Sequence, residues 1–97
     1  MSYDMSIGDE TFGYTYNVSP MWRDGYPDRG IRAHYGMTGR DSLPVLRTLR
    51  DHLEGNHERL LAMNPSNGWG DYYGALAFVH SLIMAAMRHP DQIWEGD

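Results

Sequence analysis

From Tyr3 to Tyr16 apolar and polar positions alternate. Tyr3, Met5 and Ile7 share one side of a segment whose other side carries Asp4 and Ser6. After Gly8-Asp9-Glu10 the alternation resumes, with Phe12, Tyr14 and Tyr16 on one face and Thr11 and Thr15 on the other. A period of two marks half-buried strands, and a short Gly-containing loop between two of them predicts a β-hairpin. An isolated hairpin is barely stable in water, so its apolar face needs a cover.

Beyond Tyr16 the period lengthens. Ser19-Pro20 predicts a helix start, Ser19 as N-cap and Pro20 at the first helical position, with Met21 and Trp22 anchoring a short helix that ends before Gly25. Residues 25–30 (GYPDRG) are a turn-rich connector. Ile31 to Tyr35 fits either a brief strand or a helical turn. Thr38-Gly39-Arg40-Asp41 resembles a capping box, but Pro44 would then lose its bond to the Arg40 carbonyl, so a start at Ser42 or a kink is expected. Leu43, Leu46, Leu49 and Leu53 form a core-facing stripe, and Arg47, Arg50, Asp51 and Glu54 the wet side. Gly55-Asn56 interrupts it, and a further helical piece from His57 to Met63 carries Leu60 and Leu61 inward. The last helix is expected from Tyr72 to Arg88, with Asp71 capping it and Pro90 stopping it. It is apolar almost all round, so it either lies between the hairpin and the Leu43 helix or turns part of its surface to another subunit. The tail, Asp91 to Asp97, is polar apart from Ile93 and Trp94. The expected architecture is a single α+β domain over residues 1–97: an N-terminal β-hairpin packed against two or three helices, with a long apolar C-terminal helix.

Composition narrows the functional classes. The formal net charge is −5, and the eight basic residues are dispersed. Nucleic-acid binding relies on grouped Lys and Arg, so no nucleic-acid partner is expected. The chain has no cysteine, which removes disulfides, thiolate nucleophiles and Cys-based zinc sites and suits a reducing cytoplasm. No leader pattern stands at Met1-Ser2-Tyr3-Asp4, and the apolar run Ala75–Met87 is too short to span a bilayer, so no membrane partner is expected.

The chain also carries three Trp and seven Tyr, and one Trp sits oddly: Asn64-Pro65-Ser66-Asn67-Gly68-Trp69-Gly70-Asp71-Tyr72-Tyr73-Gly74 isolates Trp69 between two glycines. Ordinary turn chemistry makes this an interhelical corner pinned by a buried Trp69, in which case Trp69→Ala would cost about 3–5 kcal/mol. The other reading is a binding site, with Trp69 and Tyr72 offering flat faces beside helix N-terminal amides that suit an anion such as a nucleotide.

The segments Tyr14-Thr15-Tyr16-Asn17-Val18-Ser19-Pro20-Met21-Trp22, Met37-Thr38-Gly39 and Asn64 to Tyr72 resemble a group of small uncharacterised proteins of actinobacterial viruses and their hosts. Those proteins share an N-terminal TYN strand, an LTG-like helix start and an NGWGDYEG corner before the final helix. The resemblance spans nearly the whole chain; Tyr73 stands where a Glu is often seen. It implies a phage origin and a small α+β domain, and it implies no known reaction.

Catalytic constellations are hard to assemble. His52 and His57 are five apart, and His80 and His89 nine apart, neither at the i, i+4 spacing that aligns two metal ligands on a helix, so no metal is expected. His80 suits a hydrogen-bonded core position. Asp51, Glu54 and Glu58 share a face with Arg47, Arg50 and Arg59, the pattern of a solvated, salt-bridged surface. No Ser lies in a nucleophile elbow, and Gly68-Trp69-Gly70 lacks the rest of any phosphate-binding fingerprint. The expectation is a non-enzymatic protein without cofactor, acting in the host cytoplasm by binding a host protein. Its binding candidates are Trp69, Tyr72, Tyr73 and Tyr26, with Trp94 a further ring available for contact. A second expectation is a homo-oligomer formed along Leu76, Val79, Ile83 and Met87, or along the opposite line Phe78, Leu82, Ala85 and Ala86. A small-ligand site at the Trp69 corner is a third.

Overall fold

In the computed structural model, which describes residues 2–97, the N-terminal alternation becomes two antiparallel strands, β1 (Ser2–Ile7) and β2 (Glu10–Thr15). The register pairs Tyr3 with Tyr14 and Met5 with Phe12. Gly8 takes the left-handed backbone (φ 58°) that the two-residue turn requires. Tyr3, Met5 and Ile7 are buried, and Phe12 and Tyr14 half-buried beside them, so the hairpin presents one apolar face as its period requires.

Ser19 does not cap the helix that follows. It is the first residue of α1 (Ser19–Gly25), and its Oγ donates to the Tyr16 carbonyl at 2.6 Å and lies 2.6 Å from the Tyr3 hydroxyl. The capping role passes upstream to Thr15, whose Oγ1 accepts from the Asn17 amide at the start of a 3₁₀ turn over Tyr16–Val18. Ser19 is thus a buried bridge between strand and helix, and Met21 and Trp22 follow it into the core. The ambiguous segment is a second 3₁₀ turn, Gly30–His34, with Ile31 and His34 buried.

The helix α2 (Gly39–Gly55) begins at the capping box and not at Ser42. Thr38 Oγ1 accepts from the Asp41 amide, and the Gly39 and Arg40 amides donate to the carbonyls of Gln92 and Pro90. With the Ser42 amide bound to the Thr38 carbonyl, all four opening amides have partners. That satisfied start outweighs the single bond Pro44 removes. Asn56 separates α2 from the short α3 (His57–Leu61), and α4 runs over Tyr72–Arg88 with Asp71 Oδ1 accepting from the Gly74 amide at 2.7 Å.

The tail corrects the expected architecture. The tail, read from the sequence only as polar apart from Ile93 and Trp94, contains a strand: Glu95–Gly96 form β3, antiparallel to the free side of β1, giving a three-stranded sheet of order β2-β1-β3. Trp94 is 1% exposed, wedged edge-on to His34, and its indole N–H donates to Ser42 Oγ at 3.0 Å. It is therefore unavailable for binding. The long helix is consequently not the C-terminal element, nor does it present apolar surface all round. Phe78, Val79, Leu82, Ile83, Ala85 and Ala86 face the core, while His80 and Ser81 stand outside with Met84 and Met87. His80 is an exposed neighbour of Glu54 (3.4 Å), not a core residue; His34 holds that position instead. No helix is long and apolar enough to cross a membrane among the described residues.

Candidate binding corner at the start of the last long helix

The corner over residues 62–71 is built from its own polar side chains. Asn64 Oδ1 accepts from the Tyr72 amide at 2.8 Å, and Asn67 Oδ1 from the Trp69 amide at 2.9 Å. Gly68 and Gly70 take φ of 76° and 87°, conformations that side-chain-bearing residues rarely adopt. Gly70 also lies where a Cβ would strike Thr15 Cγ2, and Gly74 where one would strike the Tyr14 hydroxyl. The corner is thereby pressed onto the end of β2, and Asp71 N–H donates to Tyr14 Oη at 3.3 Å.

Tyr72, not Trp69, is the pin. Its ring is 2% exposed and its hydroxyl donates to the Leu53 carbonyl at 2.7 Å near the end of α2. Trp69 is 68% exposed and Tyr73 57%. The expectation of a buried Trp69 is overturned, because Gly68 and Gly70 turn the backbone so that the ring points outward while the residue three positions later reaches the core. The Tyr73 ring lies tilted beside His57 (5.8 Å between ring centres), whose Nε2 lies 3.1 Å from the Tyr73 hydroxyl. Trp69 borders a groove of about 720 Å³ with Ser2, Gly13, Tyr14, Thr15, Asn17 and Asn67.

The remaining candidates are placed elsewhere. Tyr26 is half-buried, donates to the Val45 carbonyl at 3.2 Å, and lines a separate groove with Pro27, Arg29, Ala33 and Met37. Of the first oligomer line, Val79 and Ile83 lie in the chain's own core, Leu76 is half-buried, and only Met87 is exposed. The opposite line of Phe78, Leu82, Ala85 and Ala86 is buried throughout. Apart from Met87, both lines are covered by the chain itself, chiefly by α2 with β2 and α1. The anion reading loses two of its donors: Asn64 and the Asp71 carboxylate already occupy the Tyr72 and Gly74 amides, and that carboxylate places a negative charge where the anion would sit.

Two ion-pair clusters tie elements together. Asp24 receives Arg59 at 2.6 Å and His52 at 2.6 Å, and the Arg59 hydrogen bond, aided by His52, lowers its carboxyl to about 2. At the hairpin turn Arg88 makes two bonds to Glu10 (2.6 and 2.9 Å) and His89 a third at 2.7 Å, and Arg88 above all holds Glu10 below the usual carboxylate range. Asp9, Glu10 and His89 bring their ligating atoms within 4.8 Å of one another, the one such metal-type group among the described residues. A cation there would first have to displace Arg88 from Glu10.

Comparison with protein-family models, with curated proteins and with solved structures finds no match to this chain.

Proposed function

We propose that this protein acts by docking onto a partner protein through the ring pair Trp69 and Tyr73 and the outer face of α4, without catalysing a reaction. The observation that carries this reading is the exposure of Trp69 at 68% on a corner whose backbone is fixed by Asn64, Asn67, Asp71 and Tyr14. A mobile tryptophan would be an entropic burden on any complex; one on a rigid corner is already oriented. Trp and Tyr dominate binding hot spots because they bury a large area with few rotors to immobilise. Tyr73, Met84 and Met87, each more than half exposed, extend the apolar surface along α4. Following the resemblance to proteins of actinobacterial viruses, the partner is a host protein and the setting the host cytoplasm.

A photo-crosslinking residue placed at Tyr73, with one at Met63 as control, tests this in an actinobacterial lysate. The expected result is one stoichiometric adduct at position 73 that Trp69→Ser abolishes, while Trp69→Ser itself shifts unfolding free energy by less than about 1 kcal/mol. Equal, diffuse labelling from both positions would defeat the proposal.

A further inference from the structure

β2 is an outer strand of the sheet. The two-residue turn closes on Ile7 and Glu10, so the bonded pairs are Ile7–Glu10, Met5–Phe12 and Tyr3–Tyr14, and the backbone N–H and C=O of Thr11 and Gly13 point away from β1. The Asp97 amide, donating to the Asp4 carbonyl at 3.1 Å from the far side of β1, confirms that phase. Thr11 and Gly13 are exposed, and no helix or loop supplies partners for these groups among the described residues. Folded proteins usually blunt such an edge with Lys, Pro or a bulge; Glu-Thr-Phe-Gly-Tyr-Thr has none of these.

Gly13 adds a chemical preference. Its missing side chain leaves a lane across the outer face of the sheet, from the free edge to Asp4 on β1. The Asp4 Oδ1 atom lies 3.3 Å from where a Gly13 Cβ would stand. No cation pairs with this carboxylate among the described residues. Trp69 stands at the end of the same edge, in the groove it shares with Gly13 and Thr15.

We propose that the free edge of β2 takes up an extended peptide segment of a partner protein as a fourth strand, with a Lys or Arg of that segment lying over Gly13 to reach Asp4, and its neighbouring residues packing on Trp69. The proposal rests on the docking reading above and names its mode: main-chain bonds supply the affinity, and the Asp4 lane and the Trp69 ring supply the selectivity. Charge chooses this occupant over a second copy of the chain. Pairing β2 with itself about Gly13 would put two Asp4 carboxylates in one row and join two chains of net charge −5.

Selection of a random displayed-peptide library on the full chain tests it. Enriched sequences should carry a central Lys or Arg among β-forming residues. Their binding should fall about tenfold or more in Gly13→Pro, which removes an outward N–H and leaves the bonds to β1 in place. It should fall about fivefold in Asp4→Asn and stay unchanged in Met63→Ala. As a measurement independent of any variant's folding, an enriched peptide should slow hydrogen exchange at the Thr11 and Gly13 amides of the unaltered chain. No enrichment, acidic consensus sequences, unaltered exchange at those amides, or a doubled mass that Gly13→Pro halves would each overturn the proposal. The Tyr73 adduct separates the two readings. Lost in Trp69→Ser but kept in Gly13→Pro, it refutes strand addition and leaves docking standing; kept in both, it refutes docking as well.

Discussion

Residues of one type meet opposite fates here according to the backbone that carries them. Trp69 and Tyr72 are three apart, yet one ring is mostly solvated and the other is 2% exposed with its hydroxyl bonded. Asn67-Gly68 and Gly70 read plainly as turn chemistry in the sequence, but which ring the turn sends inward depends on where the Leu53 carbonyl and the Tyr14 hydroxyl stand. His34 makes the same point with charge. It is 1% exposed, edge-on to Trp94 and Tyr35, and its Nε2 has no partner among the described residues. Burial lowers its pKa from 6.5 to about 3, opposed in part by a hydrogen bond to the Ile31 backbone. The sign follows from proton counting: between those values the unfolded chain binds a proton that the folded chain refuses, so stability is complete above about pH 6.5 and is lost as pH falls towards 3. The expected slope from this residue approaches about 1.4 kcal/mol per pH unit. Urea unfolding at pH 7, 6 and 5 should show it, and His34→Phe should flatten it over that range. An unchanged slope in His34→Phe would mean that His34 is protonated inside the fold.

At the scale of elements, caps and periods did most of the specifying. The hairpin, the Leu46-Leu49-Leu53 stripe, the break at Gly55-Asn56 and the Asp71 start of α4 are all visible in the sequence because each rests on contacts within a few residues. The failures are where a distant segment supplies the missing group. Pro44 does not move the start of α2, since Gln92 and Pro90 bring carbonyls to its first amides. Ser19 gives up capping because the Tyr3 hydroxyl lies within reach. The start of α2 also lies against the end of α4 so closely that a Cβ on Gly39 would stand 2.2 Å from the His89 carbonyl oxygen and 2.6 Å from that of Ala86. Neither obstacle is a flexible side chain. Gly39→Ala, a favourable change in most helices, should here destabilise by about 3 kcal/mol in chemical denaturation, whereas Gly55→Ala, with open space around it, should change stability by less than about 1 kcal/mol. Equal effects of the two would mean that the α2–α4 contact opens at little cost.

For the molecule as a whole, the tail closes the fold. Residues 89–97 bind the start of α2, deliver Trp94 to the core and add β3 to the hairpin. A small domain has little core to spare. Trp94→Ala should therefore cost about 3–5 kcal/mol, and Trp94→Phe, which keeps a buried ring but removes the donor to Ser42 Oγ while leaving that hydroxyl's bond to the Gly39 carbonyl, less. Thermal or urea unfolding measures both. A loss below about 1 kcal/mol for Trp94→Ala would show that the tail rests on a core complete without it.

Taken alone, the sequence determined the α+β class, the paired N-terminal strands, the extent of α4, the core stripe of α2 and the absence of any thiol chemistry. Period, capping residues and composition are local, so they survive without coordinates. Only the tertiary structure decided which aromatics remain free, that α4 turns its two apolar lines, Met87 apart, to its own core, and that the last residues form a strand. Those outcomes depend on contacts between residues far apart in sequence, such as Trp94 with Ser42 and Tyr72 with Leu53. Burial is set by the sum of such contacts, which no single stretch of the chain encodes.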